Sequence, residues 1–179
     1  MNSIDAEALY RVLLEQIRAA LAHSSGEVAL VGIYSGGAWL AERLAHDLKR
    51  PAFGVVNVAL HRDDYAQKGL HAQASPTALP FAIENCHIIL VDDVLSTGRT
   101  VRAALNELYD YGRPASVELA VLADRGGREL PVAARFVGGV VTVPEGQTLV
   151  LARDSSQHFS FRTEASTDTD MGSASTASV

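Results

Sequence analysis

The chain has 179 residues, 47% of them hydrophobic and 20% charged, with 15 basic and 21 acidic side chains and a net charge of −6. That length is a prior for one domain, large enough to fold without a disulfide or metal staple. Cys86 stands alone, which excludes an intrachain disulfide and a cysteine-rich zinc site. No apolar run reaches the ~18 residues of a membrane span. The start, MNSIDAEALYRV, does not read as a secretory signal. The expectation is a cytoplasmic protein with no membrane partner. The acidic balance argues against indiscriminate nucleic-acid binding, but half of it lies in residues 163–179, which hold Glu164, Asp168 and Asp170 and no Lys or Arg. With so little apolar surface to bury, this stretch is expected to be a disordered, acidic Ser/Thr-rich tail behind a folded domain of residues 1–162. The basic residues comprise 13 Arg and only 2 Lys. Arginine suits bidentate phosphate binding, although a GC-rich genome produces the same bias.

Along the chain, Ser3 is expected to cap a first helix reaching about residue 23. Asp5 and Glu7 lie in its first turn, and Leu9, Leu13, Ile17 and Leu21 repeat every fourth residue. Residues 28–33 form a wholly apolar run, as expected of a strand buried on both faces of a parallel sheet. Ser35-Gly36-Gly37 opens a second helix to about residue 49, and residues 54–60 read as a strand. Residues 61–80 are one long polar stretch, of a length that is usually functional or disordered. Residues 87–91 read as a strand, 99–111 as a helix stopped by Gly112 and Pro114, and 117–122 as a strand, with weaker strands at 136–143 and 148–151. Strands alternating with helices imply an α/β fold with a mainly parallel central sheet flanked by helices. Ligands of such sheets bind at the carboxyl ends of the strands, so the loops after 33, 60, 91 and 122 are expected to share a crevice.

The most informative segment is IILVDDVLSTGRT, residues 88–100. Its apolar start delivers two adjacent carboxylates, Asp92 and Asp93, to a strand end, and Ser96-Thr97-Gly98-Arg99-Thr100 then turns into a helix. Small residues there allow backbone N–H groups to close around a phosphate, which the helix dipole also favours. The two acids would repel that phosphate and suit a polyol or a divalent cation beside it. An acidic pair next to an anion nest describes a phosphorylated sugar. The chain has neither Gly-x4-Gly-Lys-Ser/Thr nor Gly-x-Gly-x-x-Gly.

This segment resembles the phosphoribosyl-pyrophosphate signature of type I phosphoribosyltransferases, and in particular the PyrR family of pyrimidine-operon regulators that are also uracil phosphoribosyltransferases. The resemblance continues through VGIYSGGAWLAERLA (31–45), VALHRDDY (58–65) and the run from Arg99 through GRP to DRGGRELP (124–131). It implies the type I fold with a flexible hood loop from His61, and a reaction of uracil with phosphoribosyl pyrophosphate to UMP and pyrophosphate. It further implies that Asp92 and Asp93 bind the ribose hydroxyls directly or through Mg2+, as catalytic and metal-binding residues. Val94 and Leu95 would lead into the 5-phosphate nest Ser96, Thr97, Gly98, Arg99 and Thr100. Ser35, Gly36 and Gly37 would form the pyrophosphate loop, and Arg62 would clamp the departing pyrophosphate. Arg125 would lie near uracil, and Leu149 falls at a base-contacting aliphatic position, though plain core is the competing reading. The sequence departs from the common pattern at Gly36, where many relatives have Arg, and at Ser96 and His61, where Tyr is usual. These departures bear on catalytic efficiency more than on binding.

The resemblance also implies a homodimer or higher homo-oligomer and a pyr-operon mRNA leader as partner. The alternative to the enzyme is a weakly catalytic or non-catalytic nucleotide-sensing regulator. Residues 88–139 carry six Arg against seven acids, so there is no net basic stretch. A dimer could still gather Arg11, Arg18, Arg128 and Arg135 on one face. His61 and His71 lack further ligands at short spacing and are read as solvated, Cys86 as buried filler, and Trp39 as core or dimer contact.

Overall fold

The computed structural model describes residues 4–58 and 76–166. Ser3, the end of the 54–60 strand, the hood with His61, Arg62 and His71, and the tail from residue 167 lie outside the described residues. Three helices, α1 (Ala6–Ala22), α2 (Gly36–Asp47) and α3 (Arg99–Tyr109), alternate with strands β1 (Val28–Ile33), β2 (Gly54–Val56), β3 (His87–Leu95), β4 (Ser116–Asp124) and β5 (Phe136–Val140). Strands β6 (Gln147–Arg153) and β7 (Phe159–Ala165) follow. The first five strands form one sheet in the order β2-β1-β3-β4-β5, every pairing parallel. The last two form a separate antiparallel hairpin.

The middle strand shows why the sequence takes this form. In β3, Ile89 and Val91 pack with α1 and α2, whereas Ile88 and Leu90 pack with α3. β4 divides in the same way, Ala120 and Leu122 to one side, Leu119 and Val121 to the other. A strand covered on both faces must be apolar on both, which explains the unbroken hydrophobic runs. Helix α1 presents Tyr10, Leu13 and Ile17 to this core, all essentially inaccessible to solvent.

Several boundaries differ from expectation. The cap of α1 is Asp5, whose side chain accepts from the Ala8 N–H at 2.9 Å. Strand β3 runs past residue 91 to Leu95, so the Asp pair lies within the strand. The ladder between β1 and β3 ends at Gly32↔Val91, but β3 continues beside β4 to Leu95↔Asp124. Asp92 and Asp93 therefore stand just where β1 has turned away. The polar stretch returns along the outer edge of β2: Val55 and Ala78 exchange two backbone hydrogen bonds of 2.8 Å. Strand β7 was not foreseen; it spans Phe159–Ala165, across the expected boundary at 162. Its outward residues from Arg162 to Ala165 are exposed, so it has a polar, loop-like sequence. No helix among the described residues is long and apolar enough to cross a membrane.

A polar cluster ties the hairpin to the helices. Arg43 donates to both oxygens of Glu7, at 2.7 and 2.9 Å, and the Phe159 N–H donates to the same carboxylate at 2.8 Å. The Arg43 guanidinium also lies 4.2 Å from the centre of the Tyr10 ring, and the Tyr10 hydroxyl donates to Asp47 at 2.8 Å. The Arg43 hydrogen bonds hold the Glu7 carboxyl below its ordinary value of 4.5, against the opposing effect of burial. Burial, together with the bond to Asp47, pushes the Tyr10 phenol well above its usual range. Glu7→Gln is expected to cost about 2 kcal/mol at pH 7 in urea unfolding, the worth of a hydrogen-bonded charge. A carboxyl with a depressed folded pKa stabilises the fold above its unfolded pKa and loses that contribution as pH falls. The gap between wild type and variant should therefore close as pH drops below 4.5.

Candidate functional site

The sheet order reverses direction between β1 and β3, since the chain goes from β1 outward to β2 and then back across to β3. At such a switch point the loops at the carboxyl ends diverge and leave a crevice. Two segments line it: residues 34–37 after β1 and residues 92–100 at the end of β3.

Three glycines bring these segments into contact. A Cβ on Gly37 would lie 2.2 Å from the Val91 carbonyl oxygen, and one on Gly36 would lie 2.3 Å from Oδ2 of Asp93. A Cβ on Gly32 would meet the Gly37 carbonyl oxygen at 2.3 Å. The first turn of α2 thus rests on β1 and β3 at distances that exclude any side chain. Ser35 precedes it, joined to Tyr34 by a cis peptide bond. The Tyr34 N–H donates to the Val56 carbonyl at 2.9 Å, pinning this loop to β2. Asp92 is nearly buried, and each acid accepts from the following main-chain N–H at 2.9 Å, Asp92 from Asp93 and Asp93 from Val94.

Beyond the pair, Ser96 to Gly98 curl into the start of α3. Gly98 takes a left-handed conformation at φ 93°, with Leu130 and Val132 close against the place of a Cβ. Its neighbour Thr97 accepts from the Arg99 N–H at 3.2 Å. The N–H groups of Ser96, Thr97 and Gly98 meet no acceptor among the described residues. A cavity of about 70 Å³ lies here, lined by Asp92, Val94 to Gly98, Thr100 and Val101. At ~30 Å³ per water molecule it has room for one small oxyanion, not for a nucleotide. Unmet N–H groups at a helix start form a site for such an anion.

The back of this loop is held by the segment 124–132, a bracing role not foreseen from the sequence. The Arg128 guanidinium donates to the Ser96 carbonyl at 3.0 Å, to the two Asp124 oxygens at 2.9 and 2.5 Å, and to the Val132 carbonyl at 2.9 Å. The N–H groups of Glu129 and Leu130 donate to the Thr97 carbonyl at 3.0 and 3.1 Å. The Ser96 hydroxyl donates to the Gly126 carbonyl, and the Arg125 N–H to that of Leu95. Hydrogen bonding from Arg128 holds the Asp124 carboxyl below its usual range. The available signal was Gly126-Gly127 between Asp124-Arg125 and Arg128-Glu129, a turn whose two glycines take positive φ and bring Arg128 back onto Asp124.

The structure therefore brings together Ser35, Gly36, Gly37, Asp92, Asp93 and Val94 to Thr100, and sets the main chain of Arg125 beside Leu95. Arg62 lies outside the described residues. The Arg99 side chain turns outward to Glu129, at 2.7 Å and largely exposed. Leu149 is buried on the same strand face as the core residue Leu151. Arg128, one of the arginines that a dimer could gather on one face, directs its guanidinium to Ser96, Asp124 and Val132 of its own chain. Arg18 and Arg135 pair with Glu15 and Glu118. Cys86 is buried as expected, and Trp39 is half-buried beneath the Arg153 guanidinium. A larger hollow of about 570 Å³ beside Glu7, Arg43 and Asp47 lies among side chains already paired with one another. No cluster of three or more metal-ligating side chains occurs among the described residues.

Residues 3–147 match the phosphoribosyl transferase domain family. Similar proteins include the bifunctional protein PyrR of Ralstonia nicotianae, 56% identical over 170 residues that span 93% of this chain and 98% of the relative. Another is the bifunctional protein PyrR of Nitrosococcus oceani, 45% identical over 164 residues, 89% of this chain and 93% of the relative. Among solved structures, a hypoxanthine-guanine-xanthine phosphoribosyltransferase aligns at a TM-score of 0.55 and 20% identity over 77% of this chain and 76% of its own. The hypoxanthine phosphoribosyltransferase of Staphylococcus aureus aligns at 0.57 and 20% identity over 80% and 77%. These structures share the fold, a central parallel sheet flanked by helices.

The glycine contacts yield an ordering. Gly37→Ala presses a methyl group on the Val91 carbonyl oxygen at 2.2 Å, whereas Gly36→Ala meets the Asp93 side chain, whose carboxylate can rotate away and leave only its Cβ, at 2.9 Å, to be relieved by a small shift. Overpacking costs about 1–3 kcal/mol, or roughly 2–4 °C of melting temperature per kcal/mol at this size. Gly37→Ala should therefore melt at a distinctly lower temperature than Gly36→Ala in a calorimetric scan.

Proposed function

The chain belongs to the phosphoribosyl transferase domain family, among its bifunctional PyrR proteins, and from that premise we propose that it transfers phosphoribose to uracil. The substrates are phosphoribosyl pyrophosphate and uracil, and the products UMP and pyrophosphate. What carries the reading is the juxtaposition of the glycine loop 35–37, the acid pair Asp92–Asp93 and the N–H nest of Ser96–Gly98 at one switch point of the sheet.

In this reading the nest takes the 5-phosphate, with the Thr97 and Thr100 hydroxyls beside it. Asp92 and Asp93 accept from the ribose 2- and 3-hydroxyls. Their carboxylate oxygens are hard donors of the kind Mg2+ prefers, and two carboxylates completed by substrate phosphates is a usual arrangement for that ion. When bound, Mg2+ supplies positive charge against the leaving pyrophosphate. The bond between C1 and the pyrophosphate oxygen breaks as the bond from uracil N1 forms and N1 gives up its proton to the departing pyrophosphate or to water, with oxocarbenium character at C1 as in glycosyl transfer generally. No nucleophilic side chain is required. The protein contributes by holding the reactants in line and placing fixed dipoles where charge develops.

Gly36 bears on rate. An arginine at this position would occupy the space of the Asp93 carboxylate, so the pyrophosphate relies on main-chain N–H groups of the loop and on Arg62. Turnover slower than in relatives with a loop arginine follows from that loss. A closed hood over the site would exclude water and prevent hydrolysis of the sugar.

The second role is regulation of pyrimidine biosynthetic genes in the cytoplasm, through a pyr-operon RNA leader bound by a homodimer or larger assembly. Arg18, Arg128 and Arg135 each pair with an acid of the same chain, whereas Arg11, Arg102 and Arg113 are exposed and can contribute to a basic surface shared with a second subunit.

Purified protein incubated with Mg2+, phosphoribosyl pyrophosphate and uracil should form UMP. Absence of product with the sugar still bound would leave the nucleotide-sensing regulator as the reading. Asp92→Asn with Asp93→Asn should abolish turnover with the fold intact by circular dichroism, and an unchanged rate would refute the role given to the pair. For the regulator, leader RNA should bind specifically and more weakly as salt rises, and no complex at low salt would count against it.

A further inference from the structure

We propose that Arg128 is the positioning residue of the phosphate nest, orienting its N–H groups toward the 5-phosphate from behind. The proposal rests on the phosphoribosyl-transfer reading above and assigns a function within it to a side chain that touches no substrate.

A peptide unit is planar and trans, so its C=O and N–H point in opposite directions. The Ser96 carbonyl belongs to the same plane as the Thr97 N–H, and the Thr97 carbonyl to the same plane as the Gly98 N–H. Arg128 holds the Ser96 carbonyl at 3.0 Å, and the N–H groups of Glu129 and Leu130 hold that of Thr97 at 3.0 and 3.1 Å. Securing these two oxygens on the outer side turns the Thr97 and Gly98 N–H groups inward, toward the cavity of about 70 Å³ that they line. Neither N–H has an acceptor among the described residues.

The guanidinium suits this task because its planar fork fixes several acceptors at once. One edge grips both oxygens of Asp124 at the end of β4, and the Nε donates to Val132. Val132 and Leu130 in turn pack against Gly98, whose left-handed turn starts α3. Arg128 thus links the end of β4, the loop after β3 and the segment over the helix start. The two planes are set before any ligand arrives, which lowers the cost of binding. Lysine carries the same charge but cannot reproduce the fork.

The test compares wild type with Arg128→Gln and Arg128→Lys by steady-state kinetics, by titration calorimetry with phosphoribosyl pyrophosphate, and by thermal melting. Loss of orientation removes binding made equally in ground and transition states, so it raises KM and spares kcat. Both variants should show KM and Kd for phosphoribosyl pyrophosphate raised about tenfold or more. The kcat and the KM for uracil should stay within about threefold of wild type. Unchanged KM and Kd in a folded Arg128→Gln overturns the proposal. So does a fall in melting temperature and kcat with KM unchanged, which marks a merely structural role. Full rescue by Arg128→Lys overturns orientation by the fork. If wild type neither binds the sugar nor makes UMP, the functional reading itself fails, and the proposal with it.

Discussion

Close approach of main chain to main chain at Gly32 and Gly37, and of main chain to the Asp93 side chain at Gly36, lets the first turn of α2 rest on β1 and β3, and the crevice exists because of it. A methyl group at Gly37 would collide with a carbonyl oxygen that the sheet cannot move. The contact places the loop after β1 beside Asp93, joining segments that are more than fifty residues apart in the chain. It occurs at the point where the strand order reverses, so the acids of β3 emerge beside a turn instead of beside another strand. Sheet order, the length by which β3 overshoots β1, and the absence of three side chains all meet at this place.

Around that contact, polar groups are satisfied unevenly. The carbonyls of Ser96 and Thr97 are bonded on their outer side, whereas the N–H groups of the same peptides meet no acceptor among the described residues. Unmet donors in a small cavity carry a cost that an anion removes. At the opposite end of α2, Glu7, Arg43, Tyr10 and Asp47 satisfy one another closely, which fits a structural joint between the hairpin and the helices. The larger hollow beside these side chains is therefore less informative about chemistry than the small one at the nest.

Much of the fold was legible in the chain itself. The apolar runs of β1 and β3, the alternation of strand with helix, and the helix starting after Gly98 follow from local pattern, because burial on both sheet faces demands unbroken hydrophobicity. The acid pair and the nest were legible for the same reason, being contiguous in one segment. Strand β7 was not legible, since only its inner residues Phe159 and Phe161 pack and its outer ones are polar and exposed. The bracing role of Arg128 was not legible, because beside its local partners Asp124 and Val132 it reaches the Ser96 carbonyl, which is remote in the chain and which composition does not reveal.

By itself the sequence determined the fold class, the acid pair and the small-residue loop 96–100, because each depends on neighbours in the chain: periodicity, small residues, and a strand leading into a helix. Only the tertiary structure decided which side chains are available for chemistry. It used Arg128 as an internal brace, placed the Asp93 carboxylate in the space above Gly36, and paired Phe159–Ala165 with β6 as a hairpin. Those outcomes rest on hydrogen bonds and close contacts between residues far apart in sequence, whose geometry comes into being only when the strands are laid side by side.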